Sequence, residues 1–171
     1  MKPLRILIAD DHGLVRRGAR AVLLSRRGWR VVGEAANGRE AVQKAKELKP
    51  DVAVVDIGMP ELDGVEVARQ IRETVPDTKV LVLSMHESDE MVRRALEAGA
   101  RGYLLKSDLT ECLANAVEAV AEGKRFLTPK YPKSCWKDFS RPEIGISKRG
   151  GQVPEQPLVS SKSSAFWPRV R

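Results

Sequence analysis

Short apolar runs alternate with stretches of helical period along residues 4–121. Five runs rich in Val, Ile and Leu are predicted as strands, at residues 4–9, 30–35, 52–56, 79–84 and 102–105. Five amphipathic stretches are predicted as helices, at residues 12–26, 39–48, 64–74, 88–98 and 109–122. This alternation is typical of repeated strand–helix units, in which helices cover both faces of a parallel sheet. We therefore predict an α/β domain with a doubly wound, five-stranded parallel sheet.

The pattern stops after Phe126, and the charge changes there. Residues 1–127 hold 21 Lys and Arg against 20 Asp and Glu, whereas residues 128–171 hold 9 against 3. The formal net charge of +7 therefore lies almost wholly in the second segment. Prolines and a serine cluster interrupt any apolar period in that segment. We predict a folded domain at residues 1–127 and a basic, disordered tail at residues 128–171.

The beginning of the chain predicts neither a secretory signal nor a membrane span. Its first apolar stretch is short and is ended by Asp10 and Asp11, whereas a bilayer requires about 20 apolar residues. A cytoplasmic protein with reduced thiols at Cys112 and Cys135 is the prediction.

Charged residues follow three of the predicted strands. Asp10 and Asp11 follow the first, Asp56 ends the third, and Lys106 follows the fifth. The carboxyl ends of parallel strands meet at one edge of a sheet, so these side chains are expected to lie together. Clustered carboxylate oxygens suit Mg²⁺, which also accepts a phosphate oxygen, and the lysine supplies a point charge for such a phosphate.

Each of these residues also has an ordinary reading when taken alone. Asp11 has the type and position of a helix N-cap. Lys106 alone reads as a solvated loop lysine, and Asp56 as an ordinary residue at a strand end. Their combination at the ends of strands 1, 3 and 5 favours a phosphate and metal site.

Three segments resemble the receiver domain of response regulators. They are Ile-Leu-Ile-Ala-Asp-Asp-His at 6–12, Asp-Ile-Gly-Met-Pro at 56–60 with Asp63-Gly64, and Gly-Tyr-Leu-Leu-Lys at 102–106. Residues 83–86 and 95–106 look similar to the NarL/FixJ (LuxR-type) class, and the similarity covers residues 4–127. The resemblance implies a flavodoxin-like (βα)5 fold with strand order 2-1-3-4-5.

The resemblance also implies roles for individual residues. Asp56 would accept a phosphoryl group from a sensor histidine kinase, while Asp10, Asp11, Asp56 and the carbonyl of Gly58 would hold Mg²⁺. Lys106 would neutralise the phosphate.

Two further residues match the switch of that family. Ser84 matches the switch hydroxyl and Tyr103 the switch aromatic. Without the family, they read as a strand-end hydroxyl and a half-buried aromatic. His12 and His86 are predicted as helix-start and loop residues without a metal role.

The output implied by the resemblance is a change on the helix 4–strand 5–helix 5 face, commonly read out by homodimerisation, in a regulator of transcription. No enzymatic activity is expected beyond the protein's own phosphorylation and dephosphorylation. Residues 130–171 contain no helical apolar face long enough for a major groove, so specific DNA binding is unsupported.

A hypothesis for the tail concerns its reading frame. Back-translated one nucleotide out of register, residues 158–170 can spell R-E-L-E-V-L-R-L-L-A-E-G. The tail would then be an out-of-frame reading of a helix-turn-helix coding region, and sequencing the gene would test this.

Other functions are also compatible with parts of the pattern. A single-domain receiver could act as a phosphate sink or a protein-contact module. A phosphohydrolase of the haloacid-dehalogenase type would place an Asp-x-Asp pair after the first strand, where this chain has Asp10-Asp11-His12. A dinucleotide-binding domain is disfavoured because the first strand–helix turn contains no Gly-x-Gly-x-x-Gly.

Overall fold

A parallel sheet covered by helices forms the protein. The computed structural model describes residues 2–128. The strands are β1 (Leu4–Ala9), β2 (Trp29–Ala35), β3 (Val52–Asp56), β4 (Lys79–Ser84), β5 (Gly102–Leu105) and β6 (Phe126–Leu127). The helices are α1 (Gly13–Leu24), α2 (Gly38–Leu48), α3 (Gly64–Thr74), α4 (Asp89–Glu97) and α5 (Leu109–Ala121), with a 3₁₀ turn at Lys106–Asp108 before α5.

The order of the strands is β2-β1-β3-β4-β5-β6, and every neighbouring pair is parallel. Helices α1 and α5 cover one face, and α2, α3 and α4 cover the other. Successive side chains of β3 point to opposite faces. Val54 packs with the α1 and α5 cluster, whereas Val55 packs with the cluster of the other three helices. The predicted α/β class, with a parallel sheet buried on both faces, is confirmed.

The prediction of five strands in the order 2-1-3-4-5 was wrong at one edge. A sixth strand, β6, pairs with β5 through Gly102 with Phe126 and Tyr103 with Leu127. Its two residues are too few to produce a visible period. Thr128 continues the pairing: its N–H donates to the carbonyl of Tyr103 at 3.0 Å, and its hydroxyl accepts from the N–H of Leu105 at 2.8 Å.

The ends of the predicted elements otherwise differ by one or two residues from those of the structure, which is the usual uncertainty of element boundaries. The predicted disordered tail at residues 128–171 is described only at Thr128, which is buried and hydrogen-bonded to β5. The rest of the predicted tail and the out-of-frame reading concern residues that lie outside the described residues. Among residues 2–128, no helix has both the length and the apolar character needed to cross a bilayer.

Candidate functional site

The candidate site lies where the strand order changes direction. Strand β1 has β2 on one side and β3 on the other, so the connections that leave β1 and β3 diverge and open a crevice. Asp10 and Asp11 follow β1, and Asp56 is the last residue of β3. Lys106 follows β5 and reaches the same crevice. The predicted grouping of charges from three strand ends is therefore present in the fold.

A buried lysine lies between two buried carboxylates. The Nζ of Lys106 is 2.7 Å from Oδ2 of Asp10 and 3.2 Å from Oδ2 of Asp56. Side-chain exposure is 6% for Lys106, 0% for Asp10 and 4% for Asp56. Although these atoms are close, neither Asp10 Oδ2 nor Lys106 Nζ has a hydrogen bond of normal geometry within residues 2–128. The contact is a charge attraction that leaves a buried carboxylate oxygen available for another ligand.

The environment of Asp56 opposes its ionisation. Burial raises the pKa of Asp56, and the nearby carboxylate of Asp10 raises it further. The N–H of Gly58, which donates to Asp56 Oδ1 at 3.1 Å, and the cation of Lys106 oppose this rise only in part. A cation added to this site would favour the charged form of Asp56.

The backbone after Asp56 is held close to α3. At Gly64 a Cβ atom would lie 2.5 Å from the carbonyl oxygen of Asp56, so only glycine fits at the start of this helix. Asp63 caps α3, because its Oδ1 accepts from the N–H groups of Val65 at 2.9 Å and Glu66 at 3.0 Å. These contacts fix the position at which Asp56 enters the crevice.

Asp11 and His12 lie at the mouth of the site. Asp11 is 31% exposed, and its Oδ1 is 3.1 Å from Nδ1 of His12. The same ring nitrogen is 3.2 Å from Oδ1 of Asp10. The prediction that His12 begins a helix is confirmed, since it is the N-cap residue of α1. The sequence indicated no metal-ligand spacing for His12, but the fold brings one ligand atom each from Asp10, Asp11, His12 and Asp56 within 4.8 Å of one another.

Arg16 fixes the turn that carries the first two carboxylates. Its Nη1 donates to the carbonyl of Asp10 at 2.6 Å, and its Nε donates to Glu34 at 3.2 Å. Arg16 therefore joins the end of β1 to β2. The sequence pattern gave no sign of this role, since Arg16 and Arg17 are adjacent and chemically identical.

Ser84 and Tyr103 meet at one backbone group. The hydroxyl of Ser84 accepts from the N–H of His86 at 3.0 Å and donates to the carbonyl of His86 at 3.3 Å. The hydroxyl of Tyr103 donates to the same carbonyl at 3.3 Å. Burial raises the pKa of Tyr103, and a hydrogen bond with Ser84 opposes that rise. The side chain of Tyr103 is fully buried, which differs from the half-buried aromatic expected without the family resemblance.

Comparison with known proteins decides the family. The profile described as "Response regulator receiver domain" matches residues 6–118. The chain belongs to the response regulator receiver family. The resemblance seen in the sequence is thereby confirmed, and the crevice is the acidic site of a receiver domain.

Similar proteins include one named as a transcriptional regulatory protein and one named as a response regulator. The receiver is 38% identical over 138 residues to the transcriptional regulatory protein DegU of Brevibacillus brevis, a match that covers 81% of this chain and 58% of DegU. It is 36% identical over 144 residues to the response regulator GacA of Pseudomonas viridiflava, covering 84% of this chain and 67% of GacA. The chain therefore spans about three fifths to two thirds of the length of these curated relatives.

Solved structures agree with the fold. A LuxR-family response regulator from Aurantimonas sp. SI85-9A1 superposes with a TM-score of 0.73 at 35% identity, covering 82% of this chain and all of that one. The receiver domain of the putative regulator NarL from Mycobacterium tuberculosis gives a TM-score of 0.70 at 37% identity, covering 72% of this chain and all of that one.

The acidic site of this receiver domain fits a divalent cation. Asp10, Asp11 and Asp56 bring three negative charges, and Lys106 balances only one of them. The oxygen donors are of the hard type that Mg²⁺ prefers. Asp10 Oδ2 is buried and has no hydrogen bond within residues 2–128; it lies 2.7 Å from Lys106 Nζ, an ion pair that a second cation could share. These residues could hold Mg²⁺.

The position of Arg16 leads to a first prediction. Substitution Arg16→Gln releases the carbonyl of Asp10 and loosens the turn, so we expect Mg²⁺ affinity to fall about tenfold, as is typical when a group that orients metal ligands is lost. Isothermal titration calorimetry measures this. Arg17→Gln is the matched control, because Arg17 is exposed. Equal Mg²⁺ affinities for the two variants would show that Arg16 does not orient the site.

Proposed function

We propose that this protein is the phosphorylation-switched receiver of a two-component system, with Asp56 as the phosphoryl acceptor. The observation that carries the proposal is the buried contact of Lys106 with Asp10 and Asp56 at the point where the strand order diverges. The donor would be a phosphohistidine on a sensor histidine kinase. Its P–N bond breaks as an Asp56 oxygen forms the new O–P bond, and the imidazole leaves and takes up a proton.

The residues of the site would divide the work of this transfer. Asp10 and Asp11, together with Asp56 and the carbonyl of Gly58, would hold Mg²⁺, which supplies neutralisation of the phosphoryl oxygens when bound. Lys106 adds a fixed positive charge at the same oxygens. The N–H of Gly58 holds Asp56 Oδ1 and thereby orients the acceptor carboxylate. Transfer in such a site depends on positioning and charge neutralisation.

The switch would act through Ser84 and Tyr103. A phosphoryl group on Asp56 offers acceptor oxygens to the hydroxyl of Ser84, which now bonds the backbone of His86. Movement of Ser84 would change the hydrogen bonds around the His86 carbonyl, which Tyr103 also contacts. The result would be a population shift of the α4–β5–α5 face, read by homodimerisation.

The proposed setting is cytoplasmic signal transduction that leads to transcription regulation. DegU is named as a transcriptional regulatory protein, and this supports the same role for the present chain. We propose no turnover of an external substrate, because the phosphoryl group is accepted and released on the protein itself. Within residues 2–128 all helices belong to the receiver fold.

Acetyl phosphate tests the proposed function. The full chain is incubated with acetyl phosphate and Mg²⁺, and intact mass is measured. We expect the mass of one phosphoryl group to be added, and borohydride reduction followed by peptide mapping to locate it at Asp56. Uptake that is retained in Asp56→Ala, or a label on another residue, would contradict the proposal.

A further prediction concerns the lifetime of the phosphoryl group. A Cβ atom at Gly58 would meet Asp56 Oδ1 at 3.9 Å and no other atom within 4 Å, so a long side chain fits there. We expect Gly58→Arg to shield the acyl phosphate from water and to slow autodephosphorylation several-fold. Phosphate release after removal of acetyl phosphate measures the rate. An equal or faster rate in the variant would show that water access at this position does not limit hydrolysis.

A further inference from the structure

We propose that His12 is an additional ligand of the cation site, through Nδ1, and that it shifts the preference of the site from Mg²⁺ toward imidazole-accepting ions such as Mn²⁺ and Co²⁺. The proposal rests on the proposed function in one respect, since the same carboxylates hold the cation. Its test needs no phosphoryl donor. The two proposals can therefore fail separately.

The distances around Nδ1 match those between ligands of one ion. Nδ1 of His12 is 3.1 Å from Asp11 Oδ1 and 3.2 Å from Asp10 Oδ1. An octahedral ion with ligands at about 2.1 Å has neighbouring ligands roughly 3 Å apart and opposite ligands roughly 4 Å apart. The two short distances correspond to neighbouring ligands. With Asp56 included, the ligand atoms lie within 4.8 Å of one another, which exceeds the spacing of opposite ligands by less than about 1 Å.

The backbone aims the His12 ring at this site. His12 is the N-cap of α1 in extended conformation, with φ −96° and ψ 111°. Its N–H donates to Asp10 Oδ1 at 2.8 Å, which holds the residue over the carboxylates. The ring does not cap the helix, and it is 64% exposed, so it has no packing role in the core. Within residues 2–128, the polar contacts of the ring all go to Asp10 and Asp11.

A second observation indicates that a cation belongs here. Asp10 Oδ2 is fully buried and has no hydrogen bond within the described residues, and the cation beside it is Lys106 Nζ at 2.7 Å. Three carboxylates against one lysine leave two negative charges, which one divalent ion would balance. In the tautomer with its proton on Nε2, His12 offers a lone pair at Nδ1 without adding charge.

The imidazole ligand determines which divalent ion gains the most binding affinity. Mg²⁺ prefers oxygen ligands and keeps several waters, whereas affinity for nitrogen-containing sites rises from Mn²⁺ to Co²⁺. Loss of the ring should therefore cost Co²⁺ more affinity than Mg²⁺. A ring that only donates a hydrogen bond to the carboxylates would affect all the ions by the same factor.

Calorimetric titration of the full, untagged chain with Mg²⁺, Mn²⁺ and Co²⁺ tests this difference. For His12→Ala we expect Co²⁺ affinity to fall about tenfold, in the range seen when groups around a metal are lost, and Mg²⁺ affinity to change much less. The retained Mg²⁺ affinity shows that the variant is folded. His86→Ala is the matched control, because His86 is the other of the chain's two histidines, is exposed and lies outside the cluster of ligand atoms. Equal losses for Co²⁺ and Mg²⁺ in His12→Ala would overturn the proposal.

Electron spin echo modulation of bound Mn²⁺ identifies the ligand directly. With one Mn²⁺ per chain, we expect ¹⁴N modulation in the native protein and in His86→Ala, and none in His12→Ala. Bound Mn²⁺ without ¹⁴N modulation in the native protein would overturn only the proposal that His12 is a ligand. Absence of saturable binding by all three ions would overturn the cation site on which both proposals rely. Nitrogen modulation together with no phosphoryl uptake would contradict only the proposed function.

Discussion

Replacement of Lys106 by Met is expected to destabilise the protein in EDTA by about 3–5 kcal/mol, the usual cost of removing one partner from a buried ion pair. Lys106 is the cation that lies between Asp10 and Asp56, at 2.7 and 3.2 Å, and all three side chains are buried. Met keeps the approximate volume but leaves two carboxylates facing each other. Urea unfolding monitored by circular dichroism measures the free energy of unfolding. Phosphoryl uptake should also be lost, because the fixed charge at the phosphoryl oxygens is gone.

Saturating Mg²⁺ should restore much of the stability lost in Lys106→Met, because a divalent cation can replace the neutralising charge and binds only the folded site. Lys46→Met is the matched control, since Lys46 is exposed on α2. Its unfolding free energy should change by less than about 0.5 kcal/mol. A loss in Lys106→Met that is the same in EDTA and in Mg²⁺ would show that Lys106 acts by packing and not by charge.

The central strands were predictable because their burial on both faces requires a continuous apolar run in the sequence. All five residues of β3 are buried, and such a strand is a continuous apolar run between polar turns. Asp56 and Lys106 could be placed from the same signal. Each stands where an apolar run ends, and parallel strands bring those ends to one edge.

Strand β6 was not predictable from a local pattern. Phe126 and Leu127 become a strand only because β5 offers an unpaired edge, and Thr128 completes it with a side-chain hydrogen bond to Leu105. Two residues carry no period by which a strand could be recognised. Their structure is decided by a tertiary contact.

The contacts of the site that do not involve charged groups could also not be predicted from the sequence. The group that joins Ser84 to Tyr103 is the backbone carbonyl of His86, and no residue type marks a carbonyl. The contact of His12 with the carboxylates depends on its N-cap conformation, in which its N–H donates to Asp10, and residue types alone do not specify that conformation.

The raised pKa of Asp56 has a measurable consequence for stability. Its ordinary value is 3.8, and burial raises it in the folded protein. A carboxyl group whose pKa is higher in the folded than in the unfolded protein makes its full contribution to stability below its ordinary pKa. This contribution is lost as the pH rises through the pKa of the folded state. Because of Asp56, the native protein in EDTA should therefore lose stability as the pH increases from about 4 toward neutrality.

Substitution Asp56→Asn should remove that pH-dependent loss and make the protein more stable in EDTA at neutral pH, by about 0.5–2 kcal/mol, the usual size of a single stabilising substitution. Asn keeps an acceptor for the N–H of Gly58 and removes the repulsion from Asp10, while Lys106 retains Asp10 as its partner. Urea unfolding of both proteins across this pH range is the measurement, and Asp77→Asn, at an exposed position, is the control.

If Asp56→Asn were less stable than the native protein at neutral pH in EDTA, the ion pair with Lys106 would outweigh burial, and Asp56 would be a stabilising residue of the fold. A gain in stability together with loss of phosphoryl uptake would instead show that this carboxylate is kept for its chemistry at a cost to the folded state.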